Sequence, residues 1–480
     1  MSSVTFKPEG IRTPASNSAT VGVIGGGLAG LAAGCALADS GYRVTLFERR
    51  PYLGGRASSY EHPATGEVLD NCQHILLGCC TNLLDFYRRL GVEGKIRWYD
   101  RLTFITPEGR RGEIGSSSFP APFHASPSFL KFDLLTLRDK LGIGRAMLSL
   151  MERVPQDTKA TSFLDWLRRR GQTQRAIDRF WGPVLVSALN EDLDRVSVYY
   201  GAMVFRDAFL KSAEAGRMGV PTVPLSDLYA QAADYIAERG GTVHLRASVE
   251  HFHPSEEVVN IRVNGEQCPF DYVVPAVPFQ AIERILPETH ASDSIRARLA
   301  EFASSPITGI HLWFDREITD LDHAVLLDRT IQWMFQKSRI QTGRASGPLA
   351  AGSYLELVVS SSKSLVQKSR NEIVDLAMRE LTEFFPGVKE ARLLKAVVVK
   401  EVHATFSPAP GLEAHRPAPE TPWSRVFLSG DWTNTGWPAT MEGAVRGGYA
   451  SAAALARSRG ERHTFVIPDL APRGLMRLFR

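Results

Sequence analysis

The 480-residue chain is 44% hydrophobic and 22% charged, proportions of a globular protein that exclude collagen-like, low-complexity and disordered classes. At about 150 residues per domain it should hold two or three cores, and a formal charge of +4 is too mild for a nucleic-acid surface, so no nucleic-acid partner is expected. Five cysteines, an odd number, imply no disulfide framework, and Cys72, Cys79 and Cys80 contain no C-x-x-C pair for zinc. No metal site is expected, and a reducing, cytoplasmic setting fits best.

Residues 1–18 are polar, with Pro8 and Pro14 and without the apolar stretch of a signal peptide; they read as a loose terminus. Residues 19–38 carry no charge and mimic a membrane span in length, but six glycines make them a poor lipid-facing helix. They read instead as a strand, Thr20–Ile24, then a turn, then an Ala/Leu-rich helix reaching about Ser40 and stopped by Gly41. The turn is G-x-G-x-x-G: Gly25 permits the bend, Gly27 lets a pyrophosphate approach the backbone, and Gly30 lets helix and strand pack closely. At the helix start, Leu28 and Ala29 present N–H groups and a positive dipole end to phosphate. A second strand, Tyr42–Phe47, ends on Glu48, placed to accept hydrogen bonds from a ribose diol, and Arg49 follows it in the binding set. Gly54-Gly55-Arg56 comes next, where a nicotinamide dehydrogenase would start an ordinary helix; it suits a second loop closing over the phosphate and ribityl portion of a flavin dinucleotide, or else a simple turn.

Near the far end, Arg425–Ser429 reads as a strand running into Gly430-Asp431, and Trp437-Pro-Ala-Thr440 leads into a helix from Met441. An Asp after a strand can hold a ribityl hydroxyl, and a helix start at Thr440–Met441 can stabilise the negative charge of a reduced flavin. Three separated segments would then meet on one dinucleotide.

Residues 21–56 together with the Gly430–Ala444 segment resemble the amine oxidase/phytoene desaturase group of FAD enzymes, a likeness that spans about residues 20–455. Within that group, Asp70–Leu84, Phe180–Asn190 and Gly436–Thr440 are similar to the bacterial hydroxysqualene dehydroxylases; Cys72 departs from the glycine common there in the wider group. The resemblance implies an α/β fold in which a discontinuous Rossmann-like FAD domain (19–78, 220–285 and 397–460) carries an inserted α+β substrate domain (79–219 and 286–396), followed by a tail, 461–480. It also implies that Val249 meets adenine and that Tyr272–Pro278 returns beneath the cofactor. Strand-like runs at 312–315, 332–335 and 354–359 are spaced for an antiparallel sheet, and residues 226–239 and 371–385 have helical spacing.

Flavin chemistry leaves two directions open: hydride taken from a C–H bond, or hydride given to an electrophilic carbon. The resemblance implies the second, reductive dehydroxylation of hydroxysqualene to squalene in bacterial squalene and hopanoid biosynthesis, with NAD(P)H as external reductant. A carotenoid-type desaturase or amine oxidase, and a non-enzymatic isoprenoid-binding module, are the alternatives. The superfamily places Asp70–His74 beside the flavin. His74 is then a proton donor titrating in the useful range, or a structural histidine bonded to backbone, and Gln73 can bond a hydroxyl. Glu191 and Asp192 are rival acids or part of a solvated loop.

Phe129–Met151 and the terminal residues to Arg480 mix Leu, Phe and Met with Lys and Arg. They are either core and a docking tail, or a basic, apolar lip in peripheral contact with lipid at the inner face of the cell membrane. Oligomeric state is not legible.

Overall fold

The computed structural model of the chain describes residues 18–62, 66–152, 155–156, 161–341 and 352–479; the expected loose start, up to residue 17, and Arg480 lie outside them.

The glycine-punctuated N-terminus builds a parallel sheet in the order Thr242–Leu245, Arg43–Glu48, Thr20–Ile24, Tyr272–Pro275. Its central strand Thr20–Ile24 is buried on both faces from Val21 to Ile24, as a parallel sheet covered by helices requires. The C-terminal segment joins this sheet: Val426 bridges Val273 in parallel, and Phe427 N–H donates to the Val273 carbonyl at 3.0 Å. Residues 20–48 and 426–458 therefore enter one domain. The helices that begin and end it, Leu28–Asp39 and Met441–Ser458, pack against each other so closely that a Cβ on Gly448 would stand 2.3 Å from the Ala29 carbonyl oxygen.

The second domain rests on a seven-stranded sheet ordered Leu393–Phe406, Ser304–Phe314, Tyr354–Ser360, Trp333–Gln336, His323–Leu326, Arg101–Ile105, Arg111–Gly115. Residues 101–115 thus join residues 304–406 in one sheet, which is antiparallel apart from one parallel pairing between His323–Leu326 and Arg101–Ile105. The strand Leu393–Phe406 spans the expected boundary at 397 and pairs along its length with Ser304–Phe314. Met218–Pro221 pairs with Ile96–Tyr99 and Leu76–Leu77, so position 220 lies inside a small sheet. The helix expected over 226–239 is two pieces, Leu225–Tyr229 and Gln231–Ala237, while that expected over 371–385 runs Arg370–Phe384 behind a Ser369/Glu372 capping box.

The Phe129–Met151 stretch divides by face. Phe132, Leu134, Leu135, Ile143 and Leu150 are buried with Phe163, Trp181 and Phe205 in the helical core. Leu130, Leu137, Leu141 and Leu148 point outward, with Leu137 70% exposed. The tail docks on the protein's own surface: Leu475 N–H donates to the Ala121 carbonyl, Arg473 N–H to that of Lys211, and Met476 is buried.

Candidate active site

One cavity of about 650 Å³ runs between the domains and is lined from both. In its first half stand Gly25, Gly27, Leu28, Ala29, Glu48, Arg49, Gly54, Gly55, Arg56, Val249, Gly430, Asp431, Trp437, Thr440 and Met441. Segments distant in sequence converge because the parallel strands Thr20–Ile24 and Arg43–Glu48 end together, and residues 425–429, expected as a strand but held by isolated bridges at Val426 and Phe427, deliver Gly430 beside them.

Local geometry explains these positions. Gly25 has φ +109 and its N–H donates to the Phe47 carbonyl at 2.8 Å, so only glycine makes this turn without strain. Gly27 is the N-cap of Leu28–Asp39 and offers no side-chain cap, which leaves the first N–H groups of the helix to a ligand. Gly54 N–H donates to the Gly26 carbonyl at 2.8 Å, laying the second glycine loop against the first. Glu48 accepts from the N–H of Gly26 (2.7 Å) and of Arg50 (2.8 Å), so its carboxylate is fixed before any ribose arrives. Arg56 pairs with Asp431 at 2.5 Å and donates to the Ala404 carbonyl at 3.0 Å, tying the loop to the C-terminal turn. Thr440 caps the last helix by accepting from Gly443 N–H at 3.0 Å. The residues present fit FAD: two helix starts, a fixed acid at the second strand end and a cradle around Gly27 that any Cβ would enter. Gly30, expected to let helix and strand pack closely, does not itself line the cavity. A Cβ there would lie 2.0 Å from the Gly25 carbonyl oxygen, so it acts through packing.

The other half is apolar, walled by Ile75, Leu77, Phe104, Val184, Met203, Phe209, Ile307, Trp333 and Phe335. Phe209 and Asp207 come from the π-helical segment Phe205–Leu210, a geometry frequent at functional sites.

Between the halves lies Asn71-Cys72-Gln73-His74, held from behind by buried charge. Lys337 is fully buried and donates to Asp70 (2.7 Å) and Gln73 Oε1 (2.8 Å), with Glu356 at 3.2 Å. Burial raises the Asp70 pKa, but Lys337, Ser59 and the Leu225 N–H outweigh it and hold this carboxyl far below the ordinary range. Burial raises the Glu356 pKa, only partly offset by Lys337, and Asp70 adds to the rise.

Three expectations for the acid change here. His74 lines the cavity, but its Nδ1 lies 2.8 Å from the Cys72 carbonyl, which can only accept; Nδ1 therefore carries the hydrogen and Nε2 offers a lone pair. Burial also lowers its pKa and so favours the neutral ring, in which Nε2 accepts a hydrogen bond. Gln73 is engaged at both ends, its Nε2 donating to the His74 carbonyl at 2.9 Å, and it secures the segment. Glu191 is fully buried beside Lys363 and Arg195, away from the cavity wall, and falls out of the candidate set. Cys72 lines the cavity as a neutral thiol, its pKa pushed well up by burial and then by Glu356 and Glu401.

Several positions to which the sequence assigns no role shape or line the site. Arg416 is buried and donates to the carbonyls of Asp431 (2.8 Å) and Thr433 (2.5 Å) and to Thr435 Oγ1 (2.9 Å), shaping the turn that presents Asp431. Glu442 accepts from Leu83 N–H (2.7 Å) and Asn82 N–H (3.1 Å), capping the helix Thr81–Arg89 from the start of the last helix. Glu401, an acid on the cavity wall, lies on a strand that reads as ordinary sheet.

Residues 28–456 match the family described as flavin containing amine oxidoreductase. The chain belongs to that family. It is an FAD-type flavin oxidoreductase fold, and the family carries the cofactor that the cavity fits. The 15-cis-phytoene desaturase of Synechococcus elongatus is 27% identical over 462 residues, covering 92% of this chain and 96% of that one. The chloroplastic/chromoplastic 15-cis-phytoene desaturase of Solanum lycopersicum is 26% identical over 452 residues, with 90% and 77% covered. Wild-type putrescine oxidase bound to putrescine superposes with a TM-score of 0.69 at 16% identity, covering 92% and 99%; that likeness is one of fold. These named relatives are desaturases and an amine oxidase, so the family is shown at the level of amine oxidase and phytoene desaturase, not of hydroxysqualene dehydroxylase.

Proposed function

We propose that this protein is an FAD-dependent oxidoreductase of long isoprenoid chains, and that its reaction is the reductive dehydroxylation of hydroxysqualene to squalene with NAD(P)H as external reductant. One observation carries the substrate class: the same cavity that fits FAD continues into an apolar half, along a wall whose polar groups include Asn71, Gln73, His74 and Glu401. A greasy chain gains about 25 cal/mol for each Å² it buries there, and the enclosed site keeps water from a carbocation. Bound FAD, once reduced, supplies hydride to carbon. The chain's own residues seat the apolar tail, hold the hydroxyl at the Asn71–His74 wall and exclude water. The narrower choice of hydroxysqualene is supported by the Asp70–Leu84, Phe180–Asn190 and Gly436–Thr440 segments. A second reading, a carotenoid-type desaturase, is favoured by the phytoene desaturases among the relatives.

Anaerobic incubation of the purified protein with FAD, NADPH and hydroxysqualene should yield squalene. Conversion of phytoene to a conjugated polyene without reductant would overturn this reading in favour of the second.

Such a substrate partitions into lipid and is collected at a surface. Among the described residues no helix is long and apolar enough to cross a membrane. The helix Leu137–Glu152 instead presents Leu137, Leu141 and Leu148 outward at i, i+4 and i+11, one stripe of a helix. Leu130 is tied to it by Lys140 Nζ on its carbonyl at 2.6 Å. Exposed Lys131, Arg138 and Arg145 flank these side chains, a charge pattern that fits the anionic inner face of the cell membrane. The protein is then cytoplasmic and peripheral. Pelleting with anionic but not zwitterionic liposomes, with partial release at high salt, tests this.

A further inference from the structure

The cavity wall carries six described carboxylates: Glu48, Asp207, Glu250, Glu401, Asp431 and Glu442. Five are committed to other partners. Glu48 holds two backbone N–H groups, Asp207 pairs with Lys211 at 2.6 Å, Glu250 with Arg262 at 3.1 Å, Asp431 with Arg56 at 2.5 Å and Glu442 with Arg446 at 2.6 Å. Glu401 has one contact, from Asn71 Nδ2 at 3.2 Å, and no cation on it. Asn71 is itself oriented by donating to the Arg56 carbonyl at 2.7 Å, so its amide offers Glu401 a fixed donor.

Glu401 also occupies the junction. Its cross-strand partner is Ile307 of the apolar half, and such opposed residues share one face of the sheet. Three residues on, the Ala404 carbonyl accepts from Arg56, the guanidinium that holds Asp431 in the cofactor half. The Asn71 contact sets Glu401 against the segment that carries Cys72 and His74.

We propose that Glu401 is the catalytic acid that protonates the departing hydroxyl, while His74 Nε2 accepts that hydroxyl's hydrogen bond and orients it. This rests on the dehydroxylation reading above. The balance is complete: the C–O bond breaks with its electron pair on oxygen, oxygen takes the Glu401 proton and leaves as water, and the carbon would receive a hydride from bound reduced FAD, the two electrons being replaced by an external nicotinamide nucleotide. Solvent then returns the proton to the Glu401 carboxylate.

The test replaces the leaving group. Hydroxysqualene and its acetate ester are presented to the FAD-loaded wild type, to Glu401→Gln and to Glu401→Asp, with bound-flavin stoichiometry and melting temperature measured on each. Gln keeps an acceptor for Asn71 but has no proton to give; acetate leaves without one. Glu401→Gln should lose about a hundredfold or more on the alcohol, stay within a few-fold of wild type on the acetate, and bind a full complement of flavin. Glu401→Asp should recover part of the alcohol turnover. Equal losses on both substrates with flavin and melting temperature intact would make Glu401 a positioning residue and overturn the proposal, as would unchanged alcohol turnover in Glu401→Gln. A flavin-loaded wild type that reduces neither substrate overturns the dehydroxylation reading itself, and the acid role with it.

Discussion

Gly27→Ala separates the demands of the cofactor from those of the fold. The backbone at Gly27 has φ −77 and ψ 174, open to any residue, and an added Cβ meets no protein atom nearer than Gly55 Cα at 3.8 Å. The fold loses only the preference for Gly over Ala at a helix N-cap, on the order of 1 kcal/mol. The new methyl enters the cradle that both glycine loops line, where crowding costs roughly 1–3 kcal/mol. At about 1.4 kcal/mol per tenfold, FAD affinity should fall roughly 5- to 150-fold. Gly30→Ala is the control. Its Cβ would stand 2.0 Å from the Gly25 carbonyl oxygen, a backbone atom, so the fold must shift and stability falls together with binding. Flavin titration of each apoprotein, alongside its melting temperature, reads both effects. Gly27→Ala binding FAD within twofold of wild type, or Gly30→Ala melting normally, refutes the reasoning.

Lys337→Met should cost about 3–5 kcal/mol by denaturant unfolding, because it leaves Asp70 and Glu356 buried without their cation; a loss below about 1 kcal/mol would mean the carboxyls are solvated. The sign of the pH dependence follows from Asp70. Its folded pKa is depressed, so the stability it contributes is complete above the unfolded value of about 4 and is lost as pH falls through the folded one. Asp70→Asn should flatten that acid limb of the stability curve, and an unchanged limb would move the effect elsewhere. Replacing Leu137, Leu141 and Leu148 together with Ser should leave stability within about 1 kcal/mol, since all three are exposed, and weaken pelleting with anionic liposomes. Leu134→Ser or Leu135→Ser should instead cost roughly 2–5 kcal/mol, because both are buried; unaltered liposome binding in the triple variant would point to a protein partner for this face.

The cofactor half was readable because phosphate binding constrains backbone. A tight turn, a close approach and a helix start demand glycines at fixed spacing, and Gly25, Gly27, Gly54, Gly55 and Gly430 all line the cavity. The acid and its surroundings were not readable, since proton transfer needs only a carboxyl at the right place. Glu401 stands among Val399, Lys400 and Val402 on an alternating strand and looks like any surface acid, whereas Glu191, beside a family-like motif, drew attention and proves to be an ion-pair partner. What distinguishes them is strand register against Ile307, set by pairing between residues about a hundred positions apart. The outward stripe at Leu137 was half legible. Composition flagged apolar and basic residues together, but only the helix phase separates Leu137 and Leu141 from Ile143 and Leu150.

The buried charges behind the cavity wall make sense when stability and positioning are weighed apart. An apolar cluster of the same volume would stabilise the fold as well as Lys337, Asp70 and Glu356 do, because desolvation consumes most of the attraction between buried ions. What the charges add is direction. Lys337 fixes Gln73 Oε1, Gln73 Nε2 fixes the His74 carbonyl, and Asp70 is held by Ser59, the Leu225 N–H and Gln341 as well. Each bond has one geometry, so the backbone from Asp70 to His74 has one path, and the Cys72 carbonyl lands where it locks the His74 tautomer. A hydroxyl arriving at the wall then meets a lone pair at Nε2, with the Glu401 carboxyl on the strand opposite. Methionine at Lys337 together with uncharged partners at 70 and 356 could restore the melting temperature, yet it would free His74 to turn. Loss of turnover in such a stable variant, with flavin still bound, is the outcome expected if the cluster serves orientation.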